Sequence, residues 1–155
     1  MKVKFKKLHP AAQLPTKSRK GDAGFDITAI SFEKQDFTMI AKTGLAMEMP
    51  AGYECQIRPR SGLAAKGLVV ANAPGTIDNG YRGEIKIILG SLTGQAPFHM
   101  TGRKDSVQCA NTTVAAGERI AQLVFQPIIE VEVEEVESIS EDTERGTGGL
   151  GSTGA

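Results

Sequence analysis

Apolar and polar residues alternate in short runs along most of this chain of 155 residues, and glycine or proline breaks the runs every few positions. Alternation with period two sends successive side chains to opposite faces of an extended strand. Lys2-Val3-Lys4-Phe5-Lys6 has this form, with Val3 and Phe5 on one face and lysines on the other. Glu130-Val131-Glu132-Val133-Glu134 repeats it with acids in place of the lysines. Residues 24–29, 37–42, 44–49 and 53–58 are further strand candidates, and Pro50-Ala51-Gly52 reads as a turn. Residues 84–89 and 119–124 are apolar runs short enough for buried strands. Asn79-Gly80 is a strong hairpin signal. A single short helix is expected, around residues 61–66. Residues 90–113 are polar and irregular, which predicts a long loop or a poorly formed hairpin. Residues 145–155 are almost wholly Gly, Ser and Thr, the make-up of a flexible tail. The expected fold class is all-β with one short helix and a glycine-rich C-terminal arm.

Composition adds limits to this pattern. The length suits one domain with a tail, and 40% hydrophobic residues suffice for a core. Eighteen basic residues balance eighteen acids, so the formal net charge is zero. That argues against direct nucleic-acid binding and membrane-surface binding, both of which use a basic field. No run reaches the length of a membrane span. The charge is nevertheless segregated, basic over residues 1–20 and acidic over 130–144. Opposed charges on neighbouring strands attract, so the two terminal strands are expected either to lie close, within one chain or between subunits, or to form two separately solvated charged faces. Cys55 and Cys109 have no metal-ligand spacing, and with His9 and His99 they complete no convincing zinc site. They read as free thiols in a reducing cytoplasm, or in the cytoplasm or nucleus of a host cell.

Several stretches carry candidate chemistry. Pro59-Arg60-Ser61-Gly62-Leu63-Ala64 puts an arginine and a serine at a helix start, where free N–H groups suit phosphate. Asn72-Ala73-Pro74-Gly75-Thr76-Ile77-Asp78-Asn79-Gly80-Tyr81-Arg82-Gly83 offers exposed backbone for reading a flat base, an acid to activate water, and a tyrosine to pack on a sugar. Asp26 follows Gly24-Phe25 at a strand start. Gln122 interrupts an apolar run in Gly117-Glu118-Arg119-Ile120-Ala121-Gln122 and needs a partner if buried. Arg145-Gly146-Thr147-Gly148-Gly149-Leu150-Gly151-Ser152-Thr153-Gly154 has donors on a backbone free to wrap a phosphate. Each stretch alone is matched by a structural role: a cap, a turn, a strand end or a linker.

Taken in order, these stretches resemble the trimeric dUTPase family over essentially the whole chain. The resemblance implies a jelly-roll-like β-barrel of residues 1–140, a mobile arm of residues 141–155 and a homotrimer with shared active sites. It implies Mg²⁺-dependent hydrolysis of dUTP to dUMP and pyrophosphate by attack of water on the α-phosphorus. Such an enzyme limits uracil in DNA and supplies dUMP for dTMP synthesis. By this likeness Asp78 is the general base, and Tyr81 packs on the deoxyribose. Gly75, Thr76 and Ile77 read uracil, with Asn72 beside them. Arg60, Ser61, Gly62 and Gln122 hold phosphates, and Asp26 orients waters on Mg²⁺. Arg145, Gly151, Ser152 and Thr153 close over the triphosphate. Leu150 departs from the family, which commonly has an aromatic there to stack on the base. Residues 90–113 are longer than the family's usual hairpin, as a spare surface loop or a segment for a protein partner. Two other functions compete: a dCTP deaminase of related fold, and a binding module that has kept the fold.

Overall fold

The computed structural model describes residues 1–92, 98–101, 105–109, 111–140, 142–144 and 146. In chain order the strands are β1 (Lys4–Lys7), β2 (Phe25–Thr28), β3 (Ser31–Gln35), β4 (Thr38–Lys42), β5 (Leu45–Glu48), β6 (Tyr53–Pro59), β7 (Leu68–Val70), β8 (Gly75–Ile77), β9 (Lys86–Ser91), β10 (His99–Met100), β11 (Ser106–Cys109), β12 (Thr112–Ala115) and β13 (Arg119–Pro127). Helix α1 (Ser61–Ala64) lies between β6 and β7. The fold is thus nearly all-β, with jelly-roll character. No helix among the described residues is long and apolar enough to cross a membrane.

Two four-stranded antiparallel sheets dominate, in the orders β2-β13-β6-β8 and β3-β4-β9-β7. Alternation explains how they pack. Met39 and Ala41 of β4, Ile87 and Leu89 of β9, and Cys55 and Ile57 of β6 point inward and are buried in one apolar cluster. Phe25 and Phe125 meet edge to face, with ring centroids 5.7 Å apart. Both cysteines are free and buried.

The departures from expectation have clear physical causes. β1 pairs with β5, and Lys4 Nζ meets Glu48 Oε1 at 2.7 Å. The lysine-rich strand therefore finds its acid on β5 of its own chain. Residues 130–134 form no strand, and Val131 and Val133 are 76% and 91% exposed. An alternating pattern permits a strand, but only a paired edge makes one. Asn79-Gly80 is a turn, yet it links β8 and β9, which lie in different sheets. Turn chemistry sets local direction and leaves the pairing to the strands. A tight hairpin forms instead at β3–β4, where Asp36 has φ 45° and Phe37 is 95% exposed. The described residues within 90–113 lie largely in strands. They contribute to a three-stranded sheet of order β10-β11-β12, and Phe98, Val107, Cys109 and Val114 join the main core.

Candidate active site

Residues 72–88 fold into a cleft at the edge of the first sheet. β8 pairs with β6 on one side only and is the last strand of its sheet. Its outer edge leaves backbone groups for a ligand. The peptide bond between Ala73 and Pro74 is cis. Asn72 leans over Gly75 so closely that a Cβ there would meet its amide nitrogen at 3.0 Å. Beyond β8, Asn79 Nδ2 donates to the carbonyls of Pro50 at 2.6 Å and Tyr53 at 3.2 Å. Arg82 Nη1 donates to the carbonyls of Asn79 and Tyr81. These bonds fix the turn, and they leave the exposed Asp78 carboxylate with no protein partner among the described residues. Tyr81 donates its hydroxyl to the Glu84 carbonyl at 2.9 Å and folds over Gly83, where a Cβ would meet that oxygen at 2.5 Å. Asn72, Gly75, Thr76, Ile77, Asp78 and Tyr81 all line one cavity of about 160 Å³. Ile57, Ile85 and Ile88 give it an apolar side.

A second cluster stands on the same sheet. Asp26 of β2 is 5% exposed. Its Oδ1 accepts Arg60 Nε at 3.0 Å and Gln122 Nε2 at 3.2 Å, and its Oδ2 accepts Arg119 Nη1 at 3.0 Å. Arg60 Nη1 also donates to the Arg119 carbonyl at 3.0 Å. Gln122 therefore has the partner its apolar surroundings demand, and Gly24 gives it room, since a Cβ there would meet its amide at 2.9 Å. Ser61 and Gly62 are exposed at the start of α1, where the first N–H groups have no carbonyl within the helix. The helix begins after Arg60, and no side chain caps it. Arg60, Lys66, Arg119 and Glu118 line an adjoining open cavity of about 360 Å³.

The two groups do not meet within one chain. Ile77 lies beside Cys55, while Arg60 follows the far end of β6. At about 3.4 Å per residue, the intervening strand holds Asp78 and Arg60 roughly 20 Å apart along its axis. Arg145, Leu150, Gly151, Ser152 and Thr153 lie outside the described residues. Arg119 is the member of the Asp26 cluster to which the sequence attaches no role. It stands in the same short motif as Gln122, but nothing in the motif says which way it points. Among the described residues, no group of three or more His, Cys, Asp and Glu is arranged to hold a metal ion.

An open strand edge beside a tyrosine and a free carboxylate, with an arginine cluster elsewhere on the same sheet, is the equipment of an all-β nucleotide-binding protein. The dUTPase family model matches residues 11–104 and 106–154. A deoxyuridine 5′-triphosphate nucleotidohydrolase of Nautilia profundicola is 46% identical, with 99% of each chain covered. One from Hydrogenobaculum is 43% identical, again over 99% of each chain. A mutant dUTPase of Staphylococcus bacteriophage 80alpha, solved with dUpNHpp, superposes with a TM-score of 0.78 at 30% identity, covering 99% of each chain. The chain belongs to the dUTPase family. Its near-complete overlap with the Nautilia protein leaves little room for a long insertion at residues 90–113 relative to that relative.

Proposed function

We propose that the chain hydrolyses dUTP to dUMP and pyrophosphate in the cytoplasm, limiting uracil in DNA and supplying dUMP for dTMP synthesis. The observation that carries this reading is the Asp78 carboxylate, exposed and without a partner among the described residues, at a cleft whose wall is an open strand edge. Uracil would take hydrogen bonds from the backbone of Gly75, Thr76 and Ile77, with Asn72 beside it. Tyr81 would lie against the deoxyribose and crowd out a 2′-hydroxyl. Asp78 accepts a proton from water as the water oxygen bonds to the α-phosphorus. The bond to the bridging oxygen breaks, and pyrophosphate leaves with the electron pair. Catalysis of this kind is mostly positioning and charge stabilisation.

Arg60, Ser61, Gly62 and Gln122 would hold the phosphates. The separation of Asp78 from Arg60 along β6 supports a site assembled between subunits of a homotrimer, one chain supplying the base cleft and another the phosphate cluster. Asp26 suits an indirect role toward Mg²⁺. An ionised carboxylate has about four acceptor positions, and three are taken here, which leaves room for a metal-bound water rather than a direct metal bond. Mg²⁺ bound to the triphosphate would neutralise charge on the phosphates. Arg145, Gly151, Ser152 and Thr153 of the arm 141–155 would close over them, with Leu150 covering the base by apolar contact.

Proton and pyrophosphate release should be measured with dUTP and with dCTP, each with and without Mg²⁺. Release with dUTP that depends on Mg²⁺, and none with dCTP, is the expected result. Ammonia release from dCTP, or no reaction with dUTP, overturns the reading.

A further inference from the structure

Arg119 and Gln122 both donate to Asp26, although they lie three positions apart on β13. On a regular strand an odd spacing sends two side chains to opposite faces. The register of β13 against β2 explains the convergence. Arg119 pairs with Thr28 and Ala121 with Ile27, so β13 carries one extra residue at this point. Ile120 and Ala121 are consecutive and both buried, as expected where the alternation slips. The bulge turns Arg119 to the face that carries Asp26 and Gln122.

We propose that Arg119 is a positioning residue for the triphosphate end of the site, holding Asp26 so that Asp26 and the Arg119 carbonyl together aim the guanidinium of Arg60. A buried carboxylate needs a compensating cation. If Arg60 were the sole cation, its charge would be committed to Asp26 and little would remain for a phosphate. Arg119 takes Oδ2 by itself and supplies the second charge. Arg60 is then fixed at two points, Nε on Asp26 Oδ1 and Nη1 on the Arg119 carbonyl, both at 3.0 Å. A planar guanidinium pinned in this way cannot swing, and its Nη2 amino group has no protein partner among the described residues. The two arginines and one aspartate carry one net positive charge beside the open N–H groups of α1. Arg60 is the better-enclosed donor, with its side chain 26% exposed against 52% for Arg119. The phosphate role of Arg60 itself rests on the dUTPase reading above.

The test uses the full chain with Arg119→Gln and Arg119→Lys. Arg119→Gln should weaken binding of dUpNHpp, the non-hydrolysable triphosphate, by about tenfold while changing dUMP binding less than about twofold. Arg119→Lys should recover part of that loss. In the ligand-free protein, the Nε–H NMR resonance of Arg60 should exchange slowly with solvent, and faster in Arg119→Gln. The NMR measurement needs no nucleotide, so it decides the positioning role even if the parent chain fails to hydrolyse dUTP. Equal losses for dUpNHpp and dUMP, or an Arg60 resonance unchanged in Arg119→Gln, overturns the proposal.

Discussion

The cleft beside β8 and the Asp26 cluster share one sheet and are built in opposite ways. The cleft takes most of its lining from residues 72–88, a single stretch of chain, with Ile57 added from β6. The cluster draws on Asp26, Arg60, Arg119 and Gln122, which only the sheet brings together. In the cleft the Asp78 carboxylate is exposed and has no partner among the described residues. In the cluster the Asp26 carboxylate is buried and bonded three times. Local turns leave the Asp78 carboxylate open to solvent, whereas residues distant in sequence tie down that of Asp26.

Asp78→Asn tests the free carboxylate and should have the largest effect. It should lower kcat by about a thousandfold, as loss of a general base does, with nucleotide binding retained. Residual activity near that of the parent would remove Asp78 from its assigned role. Asp26→Ala tests the tied carboxylate and should lower both activity and stability. We expect kcat/KM to fall by about a hundredfold and unfolding free energy by about 2 kcal/mol. The stability loss stays below that of a fully buried pair because Arg119 is half exposed and its interaction is screened. If Asp26→Ala melts like the parent, the cluster is not a structural tie.

Gly83→Ala sharpens the picture of the cleft. The added methyl would meet the Tyr81 hydroxyl at 2.5 Å and push the ring off its bond to Glu84. Since Tyr81 is 46% exposed, the ring can move without disturbing the core. KM for dUTP should rise by about tenfold, and discrimination against UTP should weaken, while the melting temperature barely changes. Unaltered kinetics with both nucleotides would mean that the position of Tyr81 does not set sugar selectivity.

The smallest effect concerns β6 behind both regions. Burial pushes the Cys55 thiol up to about 12, with a smaller opposing contribution from its hydrogen bond to the Val124 backbone. The folded state keeps its proton where the unfolded chain, near 9, has lost it. The resulting stability is complete below pH 9 and drains away as pH rises toward about 12. Native protein at pH 8 should leave Cys55 unmodified by a thiol reagent that labels the unfolded chain. Fast native labelling would show that β6 opens readily.

Much of the fold was legible because periodicity is a local property. The cores of β2, β4, β5, β6, β9 and β13 fall within runs that alternate or are wholly apolar. Strands with little apolar content, such as β3 and β12, gave no such signal. They are strands because neighbouring edges needed partners. The acidic segment at residues 130–134 had the signal but forms no strand, since no edge within the described chain accepts it. The cleft was similarly readable, as its parts follow one another from Asn72 to Tyr81. In the cluster, Gln122 was conspicuous as a polar residue in an apolar run. Arg119 was not, because an exposed arginine at a strand start is unremarkable until its direction is known.

By itself the sequence determined a nearly all-β chain of this family, the cleft-forming stretch and the acid at its mouth. These follow from side-chain periodicity, turn chemistry and residues close together along the chain. The tertiary structure alone decided that one extra residue in β13 turns Arg119 onto Asp26. It also set the Asp78 cleft and the Arg60 cluster far apart along β6. Both depend on strand register, which is fixed by the packing of whole sheets and written in no short stretch of residues.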